Sequence, residues 1–206
     1  MDEFNFYTCT VMEIWELFRG QLQATTWLEA VAVVFGLMSV WYSKQEHIGV
    51  YPTGIVSVLI YMYITFQYRL YADMGINAYY FLMSLYGWYH WTDTHTDRAQ
   101  IAITINSRTE NLIALAIMAG SFVLIRFGLD YTDSDVPTWD AITTATAIAG
   151  MWLMARKKLE NWLAWILTDL ISIPLYYYKG LPLTSFQFLV FTFLAIWGYF
   201  SWKKKL

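Results

Sequence analysis

Seven long apolar segments follow one another along this chain, and they constrain its fold more than any other feature. Each has about 17 to 22 residues, enough for a helix to cross a hydrocarbon core of about 30 Å. Charged residues make up only 14% of the chain, whereas soluble domains carry about 25%. We therefore predict an all-α integral membrane protein. The seven transmembrane helices are expected at 27–43, 48–67, 73–91, 109–129, 139–155, 161–178 and 182–202.

The residues before the first predicted span are too polar to cross a membrane. Apolar side chains alternate there with Glu13, Glu16 and Arg19, which favours a short helix at the membrane interface over a loosely ordered tail. The N-terminus has no basic stretch of the kind that opens a cleavable signal peptide. We therefore expect the first spans to remain in the mature chain.

Composition and motifs disfavour several classes of function. The single cysteine excludes an internal disulfide framework, and three scattered histidines do not suggest a metal cluster. A net charge of -3 gives no reason to expect nucleic acid as a partner. The sequence has no Gly-rich phosphate loop, no metalloprotease motif and no Ser-His-Asp arrangement at a useful depth. We predict no enzyme activity, no cofactor and no metal.

Lys and Arg are distributed unequally between the two ends of the predicted helices. One side carries four of them, and the other carries nine, including the Arg156–Lys158 turn and the Lys203–Lys205 tail. Cytoplasmic loops carry the excess of Lys and Arg in membrane proteins. We therefore expect a cytoplasmic C-terminus and an external N-terminus.

The chain also repeats itself, at two offsets. At an offset of 114 the matching residues are Gly36 and Lys44-Gln45-Glu46 with Gly150 and Lys158-Leu159-Glu160. At an offset of 111 they are Leu70, Gly87 and Trp91 with Leu181, Gly198 and Trp202. Coincidence in a biased composition is the alternative to duplication.

The repeat predicts two three-helix units in the same orientation, joined by one linker helix, as in some transporters. The expected divisions are an N-terminal segment at 1–26, the first unit at 27–91, a polar loop and linker helix at 92–138, and the second unit at 139–206.

One face of the sixth segment carries an unusual stripe. Spacings of three and four place five residues on one side of a helix: Trp162, Trp165, Asp169, Ser172 and Tyr176. An ionisable group inside a span is costly and is a functional candidate by default. The attraction of a desolvated cation for a Trp ring is about 2 kcal/mol. The stripe therefore predicts a site for a flat cationic ligand.

Structural alternatives exist for these residues. The Asp169 carboxylate could accept a hydrogen bond from a hydroxyl of a neighbouring helix, such as Ser57 or Thr53. Trp162 and Trp165 could be interfacial anchors, because Trp is enriched at membrane boundaries. Trp162 is near enough to the basic turn for that role, whereas Trp165 lies one turn deeper.

Two further segments carry similar stripes. The third has Asn77, Tyr80, Ser84 and Trp88 on one face, and the second has a weaker version with Ser57 and Tyr61. Hydrogen bonding between helices is the alternative for the Asn and Ser side chains. We add these six residues to the predicted substrate site.

Motifs in the sixth and third segments are shared with a known family. They are Glu160-Asn161-Trp162-Leu163-Ala164-Trp165 with Asp169 and Ser172, and Leu70-Tyr71-Ala72-Asp73 with Asn77 and Tyr86-Gly87-Trp88-Tyr89-His90-Trp91. Together they resemble the PnuC family of bacterial vitamin transporters, over a stretch from about Trp27 to Trp202.

The resemblance implies a three-one-three arrangement related to the SWEET sugar transporters. It also implies a homotrimer in the bacterial inner membrane, with the N-terminus outside. The implied activity is facilitated diffusion of an unphosphorylated vitamin, chiefly nicotinamide riboside, which a cytoplasmic kinase traps as a phosphate. Relatives carry thiamin or riboflavin. In the nicotinamide riboside members, the tryptophans matching Trp162 and Trp165 lie at the substrate site.

Two positions depart from the family pattern. Asp169 stands where an Asn is frequent, and Asn77 where a Gln is frequent. An extra carboxylate suits the pyridinium of nicotinamide riboside or the thiazolium of thiamin, and suits neutral riboflavin less well. We predict nicotinamide riboside as the substrate, with thiamin as the alternative. A non-transporting receptor or scaffold is a further alternative, and it predicts that Trp165→Ala is tolerated.

Overall fold

The computed structural model describes residues 11–67, 71–92, 101–132 and 135–206. This part of the chain forms eight α-helices: α1 Val11–Ala24, α2 Trp27–Lys44, α3 Val50–Gln67, α4 Tyr71–Thr92, α5 Arg108–Leu129, α6 Pro137–Ala155, α7 Asn161–Tyr178 and α8 Pro182–Lys203. The predicted spans correspond to α2–α8, with every helix end within two residues of its expected place. The predicted turn at Arg69, the first ten residues and most of the loop after Thr92 lie outside the described residues.

The described helices differ in how apolar they are. By length and composition, α3, α5 and α8 could cross a membrane. Helices α1 and α2 meet at a bend of 101° and would add a fourth span if they formed one broken helix. Helices α4, α6 and α7 have 22, 19 and 18 residues but carry many polar and aromatic side chains. The number of seven separate spans therefore stays a prediction, as does the position of α1 at the interface.

Six of the helices form a closed ring. Helix α2 packs on α3 and α3 on α4, while α6 packs on α7 and α7 on α8. The two groups meet where α2 contacts α8 and where α4 contacts α6. Helix α5 packs on α6 outside the ring, and α1 packs on α8. None of the α5 residues is buried, so its many apolar side chains are available to lipid.

One end of the ring, which we call the basic face, carries the α2–α3 turn, the α6–α7 turn and the C-terminus. Ion pairs tie these three parts together. The Glu46 carboxylate lies 2.9 Å from Lys157 Nζ and 2.6 Å from Lys205 Nζ. Glu110, at the start of α5, lies 2.7 Å from Lys158 Nζ and 3.1 Å from an Arg156 guanidinium nitrogen. The α6–α7 turn is therefore held from two directions.

An extended segment at 101–107 also lies against the α6–α7 turn. The Thr104 N–H donates to the Lys157 carbonyl at 3.2 Å, and the Thr104 carbonyl accepts from the Leu159 N–H at 3.0 Å. From the sequence, this stretch is predicted to be part of a polar loop. Its sign in the sequence is the alternation of isoleucines, at Ile101, Ile103 and Ile105, which is typical of an extended segment.

The α2–α3 and α6–α7 turns have the same backbone conformation. Each contains a residue with positive φ, Glu46 at 57° and Lys157 at 58°, and these two residues are 111 positions apart. Five of the backbone hydrogen bonds that close the first turn have a counterpart in the second at the same offset. The predicted offset of 114 for this part of the chain is therefore wrong. It paired Lys44 with Lys158, a chance match of charged residues within two basic turns.

Two glycines mark a second correspondence at the offset of 111. A Cβ atom on Gly87 would lie 2.5 Å from the Tyr51 ring, and one on Gly198 would lie 2.5 Å from the Trp162 ring. A glycine is needed at both places, because any larger residue would overlap the ring packed on it. Tyr51 is thus the counterpart of Trp162, also 111 residues away.

Candidate functional site

A cavity of about 510 Å³ lies inside the six-helix ring. Pockets for small molecules commonly measure about 300–1,000 Å³. All six ring helices contribute to its lining, whereas α1 and α5 do not. Ten of the eleven predicted site residues line it: Ser57, Tyr61, Asn77, Tyr80, Ser84, Trp162, Trp165, Asp169, Ser172 and Tyr176. The structure brings these ten together, and their contact with a substrate stays a prediction.

The α7 stripe faces the cavity along almost the whole helix. Its five predicted residues all belong to the lining, as does Thr168 beside the carboxylate. The helix runs from Asn161 to Tyr178, so Asp169 lies at the middle of it. Spacings of three and four therefore gave the correct face.

Asp169 is 4% exposed and has no hydrogen-bond or ion-pair partner among the described residues. The two hydroxyls considered as partners donate elsewhere. Ser57 Oγ donates to the Ala32 carbonyl at 2.8 Å, and Thr53 Oγ1 donates to the Gly49 carbonyl at 2.6 Å. The structure contradicts that alternative, because Ser57 donates its hydroxyl proton to α2 and Thr53 donates its own to the turn before α3.

Trp162 is 1% exposed and forms part of the core. Its ring packs on Gly198 and meets the Trp202 ring edge-on, at 5.5 Å between centroids. This burial contradicts an interfacial anchor. Trp165 is only partly buried and lies one turn deeper on the cavity wall, where a Cβ atom on Gly150 would be 3.4 Å from its ring.

On α4, three of the four predicted residues line the cavity, and Trp88 does not. Trp88 is 38% exposed. The cavity ends one helical turn before it, at the level where Tyr51 packs on Gly87. Of the other three, Asn77 donates its amide N–H to the Asp73 carbonyl of its own helix at 2.9 Å. That bond leaves the Asn77 side-chain carbonyl available as an acceptor.

The lining residues of α6 and α8 were not predicted from the sequence. Thr143 and Thr144 come from α6, and Gln187, Phe188 and Phe191 come from α8. The signal was present in the sequence. At the offset of 111, the lining residues Ile76, Asn77, Tyr80 and Ser84 of α4 correspond to Gln187, Phe188, Phe191 and Ala195 of α8, and all eight line the cavity.

Several buried polar atoms of the lining have no partner in the structure: Ser43 Oγ, Tyr51 Oη, Trp162 Nε1 and Thr168 Oγ1. Buried polar atoms are nearly always hydrogen-bonded in folded proteins. Unpartnered ones on a cavity wall are therefore available to a polar ligand or to water.

The two ends of the cavity differ. Towards the basic face it is closed by the aromatic floor, which we define as Tyr51, Trp91, Trp162 and Trp202, all 8% exposed or less. Below that floor lies the Glu46–Lys157 ion pair. At the other end the lining includes Asp73, which is exposed in the first turn of α4. The cavity is thus open to the face opposite the basic face.

The charged side chains among the described lining residues of the cavity are all acidic. Among the described residues that line it there is no Lys, Arg or His, and the acidic ones are Asp73 at the mouth and Asp169 at mid-depth. Lys179, near the mouth, is paired with Asp140 at 2.6 Å. Aromatic rings and a buried carboxylate together favour a cation that is flat and apolar on its faces.

A helical ring with an apolar exterior and a polar, aromatic cavity open at one end defines a membrane transporter for a small molecule. The chain belongs to the nicotinamide mononucleotide transporter family, whose model matches residues 26–204. It is 27% identical over 203 residues to the nicotinamide riboside transporter PnuC of Escherichia coli, covering 86% of this chain and 85% of that one. The resemblance to the PnuC family is confirmed.

Relatives with a different substrate also match. The chain is 27% identical over 185 residues to the riboflavin/roseoflavin transporter RibM of Streptomyces davaonensis, covering 87% of this chain and 86% of that one. The fold is similar to the crystal structure of the vitamin B3 transporter PnuC, with a TM-score of 0.68 and 23% identity, covering 97% and 93% of the two chains. At that level of identity the structural likeness concerns the fold alone.

Proposed function

We propose that this protein takes up a cationic vitamin, most readily nicotinamide riboside, by facilitated diffusion through the central cavity. The observation that carries the proposal is the unpartnered Asp169 carboxylate in a cavity without cationic side chains among its described lining residues. The PnuC relatives named for nicotinamide riboside support the choice of substrate. RibM makes riboflavin a family substrate, but riboflavin has no positive charge to offset that of Asp169.

In the proposed complex, the Trp165 ring lies against the pyridinium, and Asp169 offsets its charge. The hydroxyls and amides of the lining, from Ser57, Asn77, Tyr80, Ser84 and Ser172, accept and donate hydrogen bonds to the ribose and the carboxamide. Tyr61 and Tyr176 border the entry side. Trp162 supports the site from the floor, because its ring is already packed between Gly198 and Trp202.

Transport requires that the cavity open in turn to each side. We propose the three-one-three arrangement, in which α2–α4 and α6–α8 are two repeats that rock about the site and α5 is the linker. The matching turns and the symmetric α2–α8 and α4–α6 contacts support it. The protein then lies in the bacterial inner membrane as a homotrimer, with the basic face in the cytoplasm and the N-terminus outside. A cytoplasmic kinase traps the vitamin as its phosphate.

Asp169→Asn tests the charge argument. We expect it to weaken binding of nicotinamide riboside about 10- to 100-fold, because it removes the buried charge facing the pyridinium. Binding of the 1,4-dihydro form, whose ring is neutral, should change by less than about threefold. Calorimetric titration of the purified protein with both compounds measures the two changes. Equal losses for the two compounds would assign Asp169 a structural role.

Thiamin by the same mechanism is the second candidate, because its thiazolium is also a flat cation and its aminopyrimidine can donate to a carboxylate. Uptake of labelled vitamins into proteoliposomes separates the two. If thiamin is taken up and excess nicotinamide riboside does not inhibit that uptake, thiamin replaces nicotinamide riboside as the proposed substrate. A scaffold without transport activity would take up neither vitamin and would tolerate Trp165→Ala.

A further inference from the structure

Lys44, the last residue of α2, is a buried cation without an acidic partner. It is 7% exposed, and its Nζ atom lies 3.8 Å from the ring centroid of Trp41 and 3.2 Å from that of Trp197. Among the described residues, no oxygen atom accepts a hydrogen bond from Lys44 Nζ. The two ring faces attract the charge, but they leave the three N–H groups of the ammonium without a hydrogen-bond acceptor.

This cation lies where the basic ends of α2 and α8 meet, at Trp41, Lys44, Trp197 and Ser201, which we call the outer seam. Ser201 Oγ donates to the Lys44 carbonyl at 3.3 Å. Trp41 and Trp197 are 40% and 54% exposed, and neither lines the cavity. Lys44 Nζ also reaches the surface, unlike the enclosed Ser43 Oγ. Because Trp is enriched where membrane helices meet the lipid headgroups, we place the outer seam at that level.

The corresponding end of α6 already has an anion. At the offset of 111, Trp41 corresponds to Trp152, and the Arg156 guanidinium lies 5.1 Å from the centroid of the Trp152 ring. Arg156 pairs at 3.1 Å with the Glu110 carboxylate of α5, the helix that packs on α6. Among the described helices, α2 contacts only its ring neighbours α3 and α8. The first half of the ring therefore lacks the carboxylate that the linker helix supplies to the second.

The outer face of α2 is suited to acyl chains. Val34 and Met38 share a helical face with Trp41 and are 54% and 37% exposed. Their counterparts on α6, Ala145 and Ala149, are buried. Small residues allow helices to approach closely, as α5 does on α6. The larger apolar side chains of α2 stand open to the hydrocarbon of the membrane instead.

A second copy of this chain is a less suitable source of the missing anion. The described carboxylates near the basic face are engaged within their own chain: Glu46 with Lys157 and Lys205, Glu110 with Arg156 and Lys158, and Glu160 with the Asn106 N–H. Lys204, in contrast, follows Trp197 and Ser201 on one face of α8 and has no partner among the described residues. The outer seam thus presents two uncompensated cations, Lys44 and Lys204.

We propose that the outer seam binds the headgroup of an anionic phospholipid. The phosphate accepts hydrogen bonds from Lys44 Nζ and is attracted by Lys204, while the acyl chains lie along Val34 and Met38. Basic pockets between transmembrane helices bind anionic headgroups in this way. A lipid phosphate is already present at the depth of the seam, whereas a free phosphate ion would have to reach a site bordered by acyl chains. The site is separate from the cavity and does not depend on which vitamin is transported.

Native mass spectrometry of the purified full-length protein, titrated with phosphatidylglycerol or phosphatidylcholine, counts the lipids bound at the seam. The wild type should bind about one phosphatidylglycerol per chain, about tenfold more tightly than phosphatidylcholine. Lys44→Gln should lose this preference, and Lys44→Arg should keep it because the cation remains beside the two rings. Equal affinity of the wild type for both lipids would overturn the proposal.

Lys203→Gln is the matched control for charge, since Lys203 lies over the Tyr199 ring on another side of α8. It should keep the preference for phosphatidylglycerol, and a loss equal to that of Lys44→Gln would reduce the binding to diffuse attraction and overturn the site. If Lys44→Gln does not fold, Lys204→Gln decides, because it leaves Lys44 and both rings in place. It should weaken phosphatidylglycerol binding about threefold to fivefold, and unchanged binding would overturn the site.

The same spectra distinguish the lipid from other occupants of the seam. Millimolar inorganic phosphate should not displace the bound phosphatidylglycerol, and displacement would assign the seam to a free anion instead. If a second copy of the chain covered the seam, the wild type would bind no phosphatidylglycerol there and Lys44→Gln would dissociate the oligomer. Either result would overturn the lipid site.

Discussion

Glycines at two positions decide how close the aromatic floor of the cavity approaches its walls. Tyr51 packs on Gly87, and Trp162 packs on Gly198, with the ring atoms in the space where a Cβ atom would otherwise be. Each ring then meets a second one edge-on: Tyr51 meets Trp91 at 5.2 Å. In the sequence these glycines are markers of a repeat, and their role in packing was not predicted.

Gly87→Ala should therefore be strongly destabilising. The new methyl group would lie 2.5 Å from the fully buried Tyr51 ring, and overpacking of this kind costs about 1–3 kcal/mol. Gly75→Ala is the matched control, because Gly75 is in the same helix with open space around its Cβ position. Its effect should be neutral or slightly stabilising. Thermal unfolding of the detergent-solubilised variants compares them, and equal unfolding temperatures would contradict this account of the floor.

Among the elements, the α2–α3 and α6–α7 turns carry the contact that closes the basic face. Their positive-φ residues, Glu46 and Lys157, form an ion pair with Lys157 only 4% exposed in its side chain. Lys157 Nζ also donates to the Ile101 carbonyl at 2.7 Å. Burial alone would raise the pKa of Glu46, but hydrogen bonds from Lys205 and Lys157 outweigh burial and lower the pKa below its ordinary value.

The lowered pKa fixes the pH dependence of this contact. The ion pair stabilises the fold at pH values above the ordinary carboxyl pKa of about 4.3, and its contribution is lost as the pH falls through the lowered pKa of Glu46. Glu46→Gln should cost about 2–3 kcal/mol near neutral pH, because Lys157 keeps a buried charge. The difference from wild type should stay constant from about pH 7 to 5 and shrink below about pH 4.

Unfolding temperatures of the wild type and Glu46→Gln across this pH range measure the effect. Asp130→Asn is the control, since Asp130 pairs with Arg126 on the surface with 55% of its side chain exposed. Its cost should be below about 1 kcal/mol. A difference between wild type and Glu46→Gln that grows on acidification would contradict the assigned direction of the Glu46 pKa.

At the scale of the whole molecule, the two halves of the ring contribute lining residues to the cavity from equivalent positions. Val58 on α3 is the counterpart of Asp169 on α7, 111 residues away, and both line the cavity. If the halves surround one shared site, a carboxylate at either position acts on the same ligand. Val58→Asp in an Asp169→Asn background should therefore recover part of the lost affinity for nicotinamide riboside.

Calorimetric titration tests this recovery. Val58→Asn in the same background is the matched control and should recover nothing, because it adds an amide of similar size without charge. An affinity for Val58→Asp no better than for Val58→Asn would mean that positions 58 and 169 do not face a common ligand.

Much of the whole-molecule architecture could be predicted from the sequence. Long apolar segments separated by charged turns fixed the helix bounds to within two residues, and helical spacing found the cavity face of α7. The cavity face of α8 was missed, because phenylalanines are typical of a lipid-facing helix surface. Only the repeat at an offset of 111 aligns them with lining residues of α4. Trp88 shares the α4 stripe but does not line the cavity, because spacing gives a face of a helix and says nothing about the depth at which the cavity ends. Contacts such as Glu46–Lys157 depend on tertiary structure and left no local pattern.

The opposite charges of Glu46 and Lys157 also bear on the proposed three-one-three arrangement. Residues that occupy the same position in two related halves, and that touch each other, must lie beside the axis relating those halves. A dimer of two copies of α2–α4 about the same axis would set Glu46 against Glu46. A dimer of two copies of α6–α8 would set one buried Lys157 against another. In the proposed repeat, each half therefore supplies the counter-ion of the other, and a dimer of either half alone would leave two like charges facing each other at the axis.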